Sequence, residues 1–245
     1  RIPAVIAVPG MDNFKEMQVA MYGDRFLSRG IAVLAIDGPG QYESAVLDVH
    51  VSMEAWMATG KACYEWLAKR REVDAGKVGM SCASFGTFFG VIAAAYEPRL
   101  KAVALDKVCH EPGFHAIFEE ASPTFKMRFM YMSNITDEAK FDAMRRGMTW
   151  VGHAERIRAP YLCVAGEADE LSPLEHTERL MKVLGGPKRL VVYQDSRHSV
   201  GGVPSANLGP AAPALVADWM LATLQGKPFT SDRWFVQASG QVAKS

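Results

Sequence analysis

The chain has 245 residues, 27 lysines plus arginines against 27 aspartates plus glutamates, and an apolar share of 49%. That length suits one large α/β domain with a full core and leaves little room for a second of equal size. A formal charge of zero without a run of five like charges argues against a nucleic-acid or acidic-surface partner, and no stretch of about 18 apolar residues offers a membrane span.

The chain opens at Arg1 on a buried-strand pattern, with neither a methionine nor a signal peptide ahead of it. We therefore expect the natural protein to carry a segment before Arg1. Residues 4–8 form a β-branched run ending in Pro9-Gly10, which reads as a strand and a turn. Met17, Ala20, Met21 and Leu27 then fall at helical spacing, with Asp12 or Asn13 as the expected cap. Residues 31–36 are the next buried strand. The loop that follows, Asp37-Gly38-Pro39-Gly40-Gln41-Tyr42-Glu43, is glycine-rich, but it lacks the third glycine of a dinucleotide loop, and Pro39 removes an amide that a phosphate would use. No cofactor is expected. Met53, Trp56, Met57, Gly60, Cys63, Trp66 and Leu67 mark an amphipathic helix whose aromatics read as core.

The stretch that organises the chain comes next, Val78-Gly-Met-Ser81-Cys82-Ala-Ser84-Phe85-Gly86-Thr87. A short strand runs into small residues around a serine and leaves them as a helix. A serine at such a strand-to-helix turn sits in strained backbone, so the residues two before and two after it must be small. Here they are Cys82 and Gly86, giving C-x-S-x-G. Ser84 is the candidate nucleophile, and the Phe85 amide at the helix start is a candidate oxyanion donor. The competing frame, centred on Ser81, would put the turn inside the apolar strand.

After a helix ending near Glu97-Pro98, residues 101–105 read as another strand. Strands alternating with helices imply a parallel sheet covered on both faces. From Asp106 to about Trp150 the rhythm breaks into a Phe- and Met-rich stretch without a convincing strand. We read residues 107–150 as a helical cap inserted into a core of residues 1–106 and 151–245. His110, Glu111, His115, Phe118, Met127 and Met130 are its candidate pocket residues, an adaptable apolar wall with a few polar groups. Cys109, His110, Glu111 and His115 match no zinc spacing, so no metal is expected.

The sheet resumes at residues 159–165 and leads to Asp169, an acid at the carboxyl end of a late strand, where ligands gather in parallel sheets. Residues 189–193 read as the last strand, followed by a loop that carries His198, whose glycines can bring the imidazole over the serine. His50, His153 and His176 read as solvated or packing positions. A helix through Trp219 and Leu224 precedes a polar tail at 226–245 to which no element is assigned. Cys63, Cys82, Cys109 and Cys163 are widely spaced without a C-x-x-C pair, which favours reduced thiols and a cytoplasmic location.

With Ser84, Asp169 and His198 in that chain order, the sequence resembles the α/β-hydrolase superfamily. The resemblance runs from Ala4 to Leu224 and implies the α/β-hydrolase fold, a mostly parallel sheet flanked by helices with an inserted helical cap. It also nominates the main-chain amide of Met11, the residue after Gly10, as the second oxyanion donor. Gly10-Met-Asp12-Asn-Phe-Lys15-Glu16 and Asp37-Gly-Pro-Gly-Gln-Tyr-Glu43 look like loops of the branch holding dihydroxypseudooxynicotine hydrolase, fungal polyketide-shortening hydrolases and fermentation-respiration-switch-type proteins. Members of that branch carry an N-terminal helical segment, and several hydrolyse a carbon–carbon bond beside a ketone on an aromatic substrate. Cys82 departs from the pattern's first elbow glycine, and Tyr42 stands where a glycine is frequent.

The expected chemistry is therefore Ser-His-Asp hydrolysis through an acyl-enzyme, acting on a C–C bond beside a ketone or on an ester in an apolar or aromatic small molecule. A general carboxylesterase is the simpler alternative, and a non-catalytic binding protein built on the same fold is a further one. The expected partner is a small-molecule substrate, with neither nucleic acid nor membrane, and a homodimer stays open.

Overall fold

The computed structural model describes residues 1–18, 20 and 24–245. Among them the strands are β1 (Ile2–Val8), β2 (Ala32–Ala35), β3 (Val73–Ser84), β4 (Ala102–Val108), β5 (Tyr161–Gly166), β6 (Lys188–Tyr193), β7 (Asp232–Val236) and β8 (Val242–Lys244). The helices are α1 (Lys15–Met17), α2 (Asp24–Leu27), α3 (Tyr42–Val46), α4 (Met53–Ala68), α5 (Gly86–Ala95), α6 (Pro123–Ser133), α7 (Glu138–Arg146), α8 (Leu174–Val183), α9 (Pro204–Leu208) and α10 (Ala212–Leu224).

One sheet runs β2-β1-β3-β4-β5-β6-β7-β8, and every pair is parallel except β7 with β8. Its strands are covered on both faces, so they read as continuous apolar runs, and alternate residues serve different layers. Ala4, Ile6 and Val8 pack with Trp56, Phe89 and Leu180 from α4, α5 and α8. Val5 joins Phe26, Val216 and Met220 from α2 and α10 on the other side. The strand order reverses at β1, between β2 and β3. That switch point opens a crevice at the carboxyl ends of β1 and β3, which carry Pro9-Gly10 and Ser84. Between β4 and β5 the chain is helical, with a π-helical turn at Ala116–Glu120 followed by α6 and α7.

Several sequence expectations need correction. β6 is not the last strand, because the tail adds β7 against β6 and turns back as β8. The Trp-Phe-Val run is too short to show a period. It is held by distant partners, with Asp232 bonded to Arg189 and both the Arg189 and Lys244 cations over the Trp234 ring. The first helical face also fails. Among the described residues Phe26 is buried whereas Leu27 and Ala20 are exposed, and Met21 lies outside them. Neither Asp12 nor Asn13 caps α1. The Lys15 N–H goes to Asp37 Oδ1 at 2.7 Å, across from the loop after β2, and Asp12 is ion-paired with Arg128 of α6.

Candidate active site

Ser84 ends β3 with φ of 54°, in the left-handed region that a non-glycine residue enters at a cost. The turn is fixed by neighbours. A side chain at Gly86 would collide with the Pro9 carbonyl, so the elbow helix α5 can pass β1 this closely only with glycine there. The Thr87 hydroxyl donates to the Ser84 carbonyl at 2.7 Å and accepts the Cys109 N–H at 2.8 Å, tying the elbow to the end of β4. Ser81, by contrast, is buried inside β3, paired with Ala7 and Ala104.

Cys82 fits where a glycine is usual because α5 yields instead. The missing side chain of Gly90, one turn into the helix, makes room for the Cys82 sulfur, and a Cβ there would overlap it. Gly90→Ala is therefore expected to destabilise the fold by about 1–3 kcal/mol through overpacking. The loss should shrink in the Cys82→Gly/Gly90→Ala double variant. Urea unfolding midpoints of the three proteins measure this, and additive losses would refute the compensation.

The three candidate catalytic side chains meet at the sheet's carboxyl edge. Ser84 Oγ lies 2.9 Å from His198 Nε2, and His198 Nδ1 lies 2.9 Å and 3.1 Å from the two Asp169 oxygens. The Asp169 side chain is 1% exposed, and its Oδ1 also accepts the N–H groups of Leu171 and Ser172 at 2.9 and 3.1 Å. These amides hold the carboxylate in one orientation. The loop that carries His198 turns through several left-handed residues, Gly202 among them with φ of 72°. Asp195 and Val200 take left-handed φ values of 57° and 47°, and Gly166, at the end of β5, leaves space for the carbonyls of Ser196 and Arg197.

On the other side of Ser84 stands the loop after β1. A Cβ on Gly10 would lie 2.8 Å from Ser84 Cβ, so the Gly10-Met11 main chain runs directly against the serine. Phe85 heads α5, its ring buried among Phe88, Phe89, Phe114, Phe118 and Phe129. Tyr42, the other departure, carries φ of 33° at its glycine-like position and stacks its exposed ring on Phe14 at 4.9 Å.

The six predicted pocket residues do not share one pocket. Phe118 is core, packed on Phe85, Phe129 and Phe141. His115 is exposed beside Glu120. Met127 and Met130 line a surface groove with His50 and Tyr131, and Glu111 accepts the Ala116 N–H at 2.7 Å. Aromatic and methionine content cannot tell an inner wall from an outer one. An apolar cavity of about 200 Å³ does exist between the start of α4, α5 and the end of α7, lined by Met53, Trp56, Phe88, Phe89, Met144 and Met148. Among the described residues no cluster of three or more His, Cys, Asp or Glu could hold a metal.

His110 is fully buried, with Nδ1 3.0 Å from the Thr177 hydroxyl and its N–H on Ser172 Oγ at 2.9 Å. Burial, and to a lesser degree His176, push its pKa down to about 3. The ring is neutral at pH 7 and has no imidazolium proton to give as a general acid. The unfolded chain would protonate it near pH 6.5, so stability falls as pH drops from there toward 3, with a limiting slope of about 1.4 kcal/mol per unit. In His110→Asn the acid limb of unfolding free energy against pH should flatten by up to that slope.

Burial also raises the thiol pKa of Cys82, Cys109 and Cys163. Sequence reasoning missed Thr87, Gly90, Gly166 and Gln41. Only the glycine spacing of Gly86 and Gly90, one helical turn apart, could have hinted at the elbow's packing.

The family model for X-Pro dipeptidyl-peptidase (S15 family) matches residues 9–120, the span from the Gly10 loop through the elbow. The 2,6-dihydropseudooxynicotine hydrolase of Paenarthrobacter nicotinovorans is 26% identical over 227 residues, 91% of this chain and 58% of that protein. The crystal structure of the 2,6-dihydroxy-pseudo-oxynicotine hydrolase superposes with a TM-score of 0.80 at 24% identity, covering 94% of this chain and 63% of that one. The chain has the α/β-hydrolase fold. The alpha/beta hydrolase xenA of Xenoacremonium sinensis adds 30% identity over 113 residues, 43% of this hydrolase-fold chain. The chain spans 58% of the first relative's length and 26% of the fungal one's. Among the described residues no helix is long and apolar enough to cross a membrane.

Proposed function

We propose that this chain carries the active site of a serine hydrolase. His198 removes the proton from Ser84, Asp169 holds the imidazole tautomer and stabilises its cation, and the Phe85 and Met11 amides bind the oxyanion. Water then opens the acyl-enzyme. The observation that carries the reading is the hydrogen-bonded line Ser84–His198–Asp169 beginning at a serine with left-handed φ. The substrate is an apolar or aromatic small molecule cleaved at an ester or at a C–C bond beside a ketone, the latter following from the resemblance to the dihydroxypseudooxynicotine hydrolase branch. The helical part of residues 107–150, after β4, acts as its cap.

The two bonds make different demands. An ester releases an alkoxide that His198 alone can protonate, whereas a ketone releases a carbanion or enol that needs a further donor or a stabilising neighbour. His110 is neutral and buried, Glu111 is engaged by a main-chain amide, and His115 is exposed. That arrangement favours the carboxylesterase reading for substrates whose leaving group cannot stabilise its own charge. Parallel assays of p-nitrophenyl acetate and an aryl β-diketone separate the two. Turnover of the ester alone would exclude C–C cleavage, and turnover of neither, with no fluorophosphonate labelling, would favour the binding-protein alternative.

A further inference from the structure

Resting on the serine-hydrolase reading, we propose that Gln41 is a positioning residue for the oxyanion site. It holds the Gly10–Met11 peptide so that the Met11 N–H is presented to a carbonyl oxygen bound at Ser84. Gln41 is 2% exposed, and the polar atoms of its side chain are spent on main chain. Its Nε2 donates to the Pro9 carbonyl at 2.7 Å and reaches the Gly10 carbonyl at 3.5 Å, while Oε1 accepts the Gly38 N–H at 2.9 Å. The Asn13 N–H also donates to the Gly10 carbonyl, at 3.3 Å.

The consequence follows from peptide geometry. The described chain has no cis peptide, so the Met11 N–H points opposite to the Gly10 carbonyl. Two donors hold that carbonyl toward Gln41 and Asn13, which leaves the N–H on the other side of the peptide plane. Gly10 itself abuts Ser84. A reversed peptide would aim a carbonyl dipole at the developing oxyanion and turn attraction into repulsion. Pro9 shares in this, because its carbonyl is wedged between Gly86 and the Gln41 amide and the loop cannot slide along the elbow. Glutamine suits the position because its amide offers a donor and an acceptor at one end, on a stem long enough to reach from the loop after β2 to the loop after β1.

A residue that merely stiffened two loops would tolerate loss of the donor if the fold survived. Gln41→Glu keeps length and the acceptor for Gly38 but cannot donate to the Pro9 and Gly10 carbonyls while ionised. Gln41→Met keeps volume and serves if the buried carboxylate unfolds the loop. In whichever variant folds, judged by its urea midpoint, kcat for p-nitrophenyl acetate should fall roughly 10- to 100-fold with KM within about threefold. Affinity for a trifluoromethyl ketone, whose serine adduct carries an oxyanion, should weaken by a similar factor. A folded variant with unchanged kcat and unchanged ketone affinity would overturn the role of Gln41 and leave the nucleophile assignment standing. Undiminished turnover in Ser84→Ala would overturn the serine reading itself and this proposal with it.

Discussion

Ser84→Ala is expected to abolish fluorophosphonate labelling and to lower kcat for p-nitrophenyl acetate by about 10⁴- to 10⁶-fold, the range over which loss of a triad nucleophile acts. The fold should survive. Alanine removes one oxygen from a partly buried site and relieves none of the backbone strain at φ of 54°. Ser81→Ala is the control, because Ser81 is buried inside β3 between Ala7 and Ala104, where its hydroxyl meets neither His198 nor substrate. Labelling that persists in Ser84→Ala and disappears in Ser81→Ala would reverse the assignment. In the proposed mechanism the three side chains act as one unit, so adding His198→Ala to Ser84→Ala should cost little more.

Asp169→Asn is expected to lower kcat by about 10⁴-fold with KM little changed, and the reason is a tautomer. The Leu171 and Ser172 amides donate to Oδ1, so an asparagine there would keep its carbonyl oxygen on them and turn its NH₂ toward His198 Nδ1. Nδ1 must then accept, which places the imidazole proton on Nε2. That nitrogen faces Ser84 Oγ at 2.9 Å and could no longer take its proton. Because both main-chain donors keep a partner, the urea midpoint should move little. Asp169→Ala should both inactivate and destabilise, since it leaves two buried amides unpaired. A fall in kcat under about tenfold for Asp169→Asn would remove Asp169 from the mechanism.

The strands and the three side chains at their ends were legible in the chain because each depends on local rules. Apolar runs of five or six residues mark strands buried on both faces, and small residues flanking a serine mark a sharp strand-to-helix turn. An acid and a histidine each just past a strand must fall on the same sheet edge once the strands are parallel. The chain also showed Cys82 as an anomaly. It did not show why the anomaly is tolerated, since Gly90 matters only through its approach to Cys82.

What the amino-acid order determined by itself is thus the alternation of elements, the parallel sheet and the places of Ser84, Asp169 and His198 just at or past strand ends. Only the tertiary structure decided which methionines and aromatics face inward, that β7 and β8 extend the sheet, that His110 is held neutral and that Gln41 grips the loop beside the serine. The physical reason is the range of the interactions. Turn chemistry and strand periodicity act over a few residues, whereas burial, pKa displacement and the hydrogen bond from Gln41 to Pro9 depend on segments that come together only when the sheet is assembled.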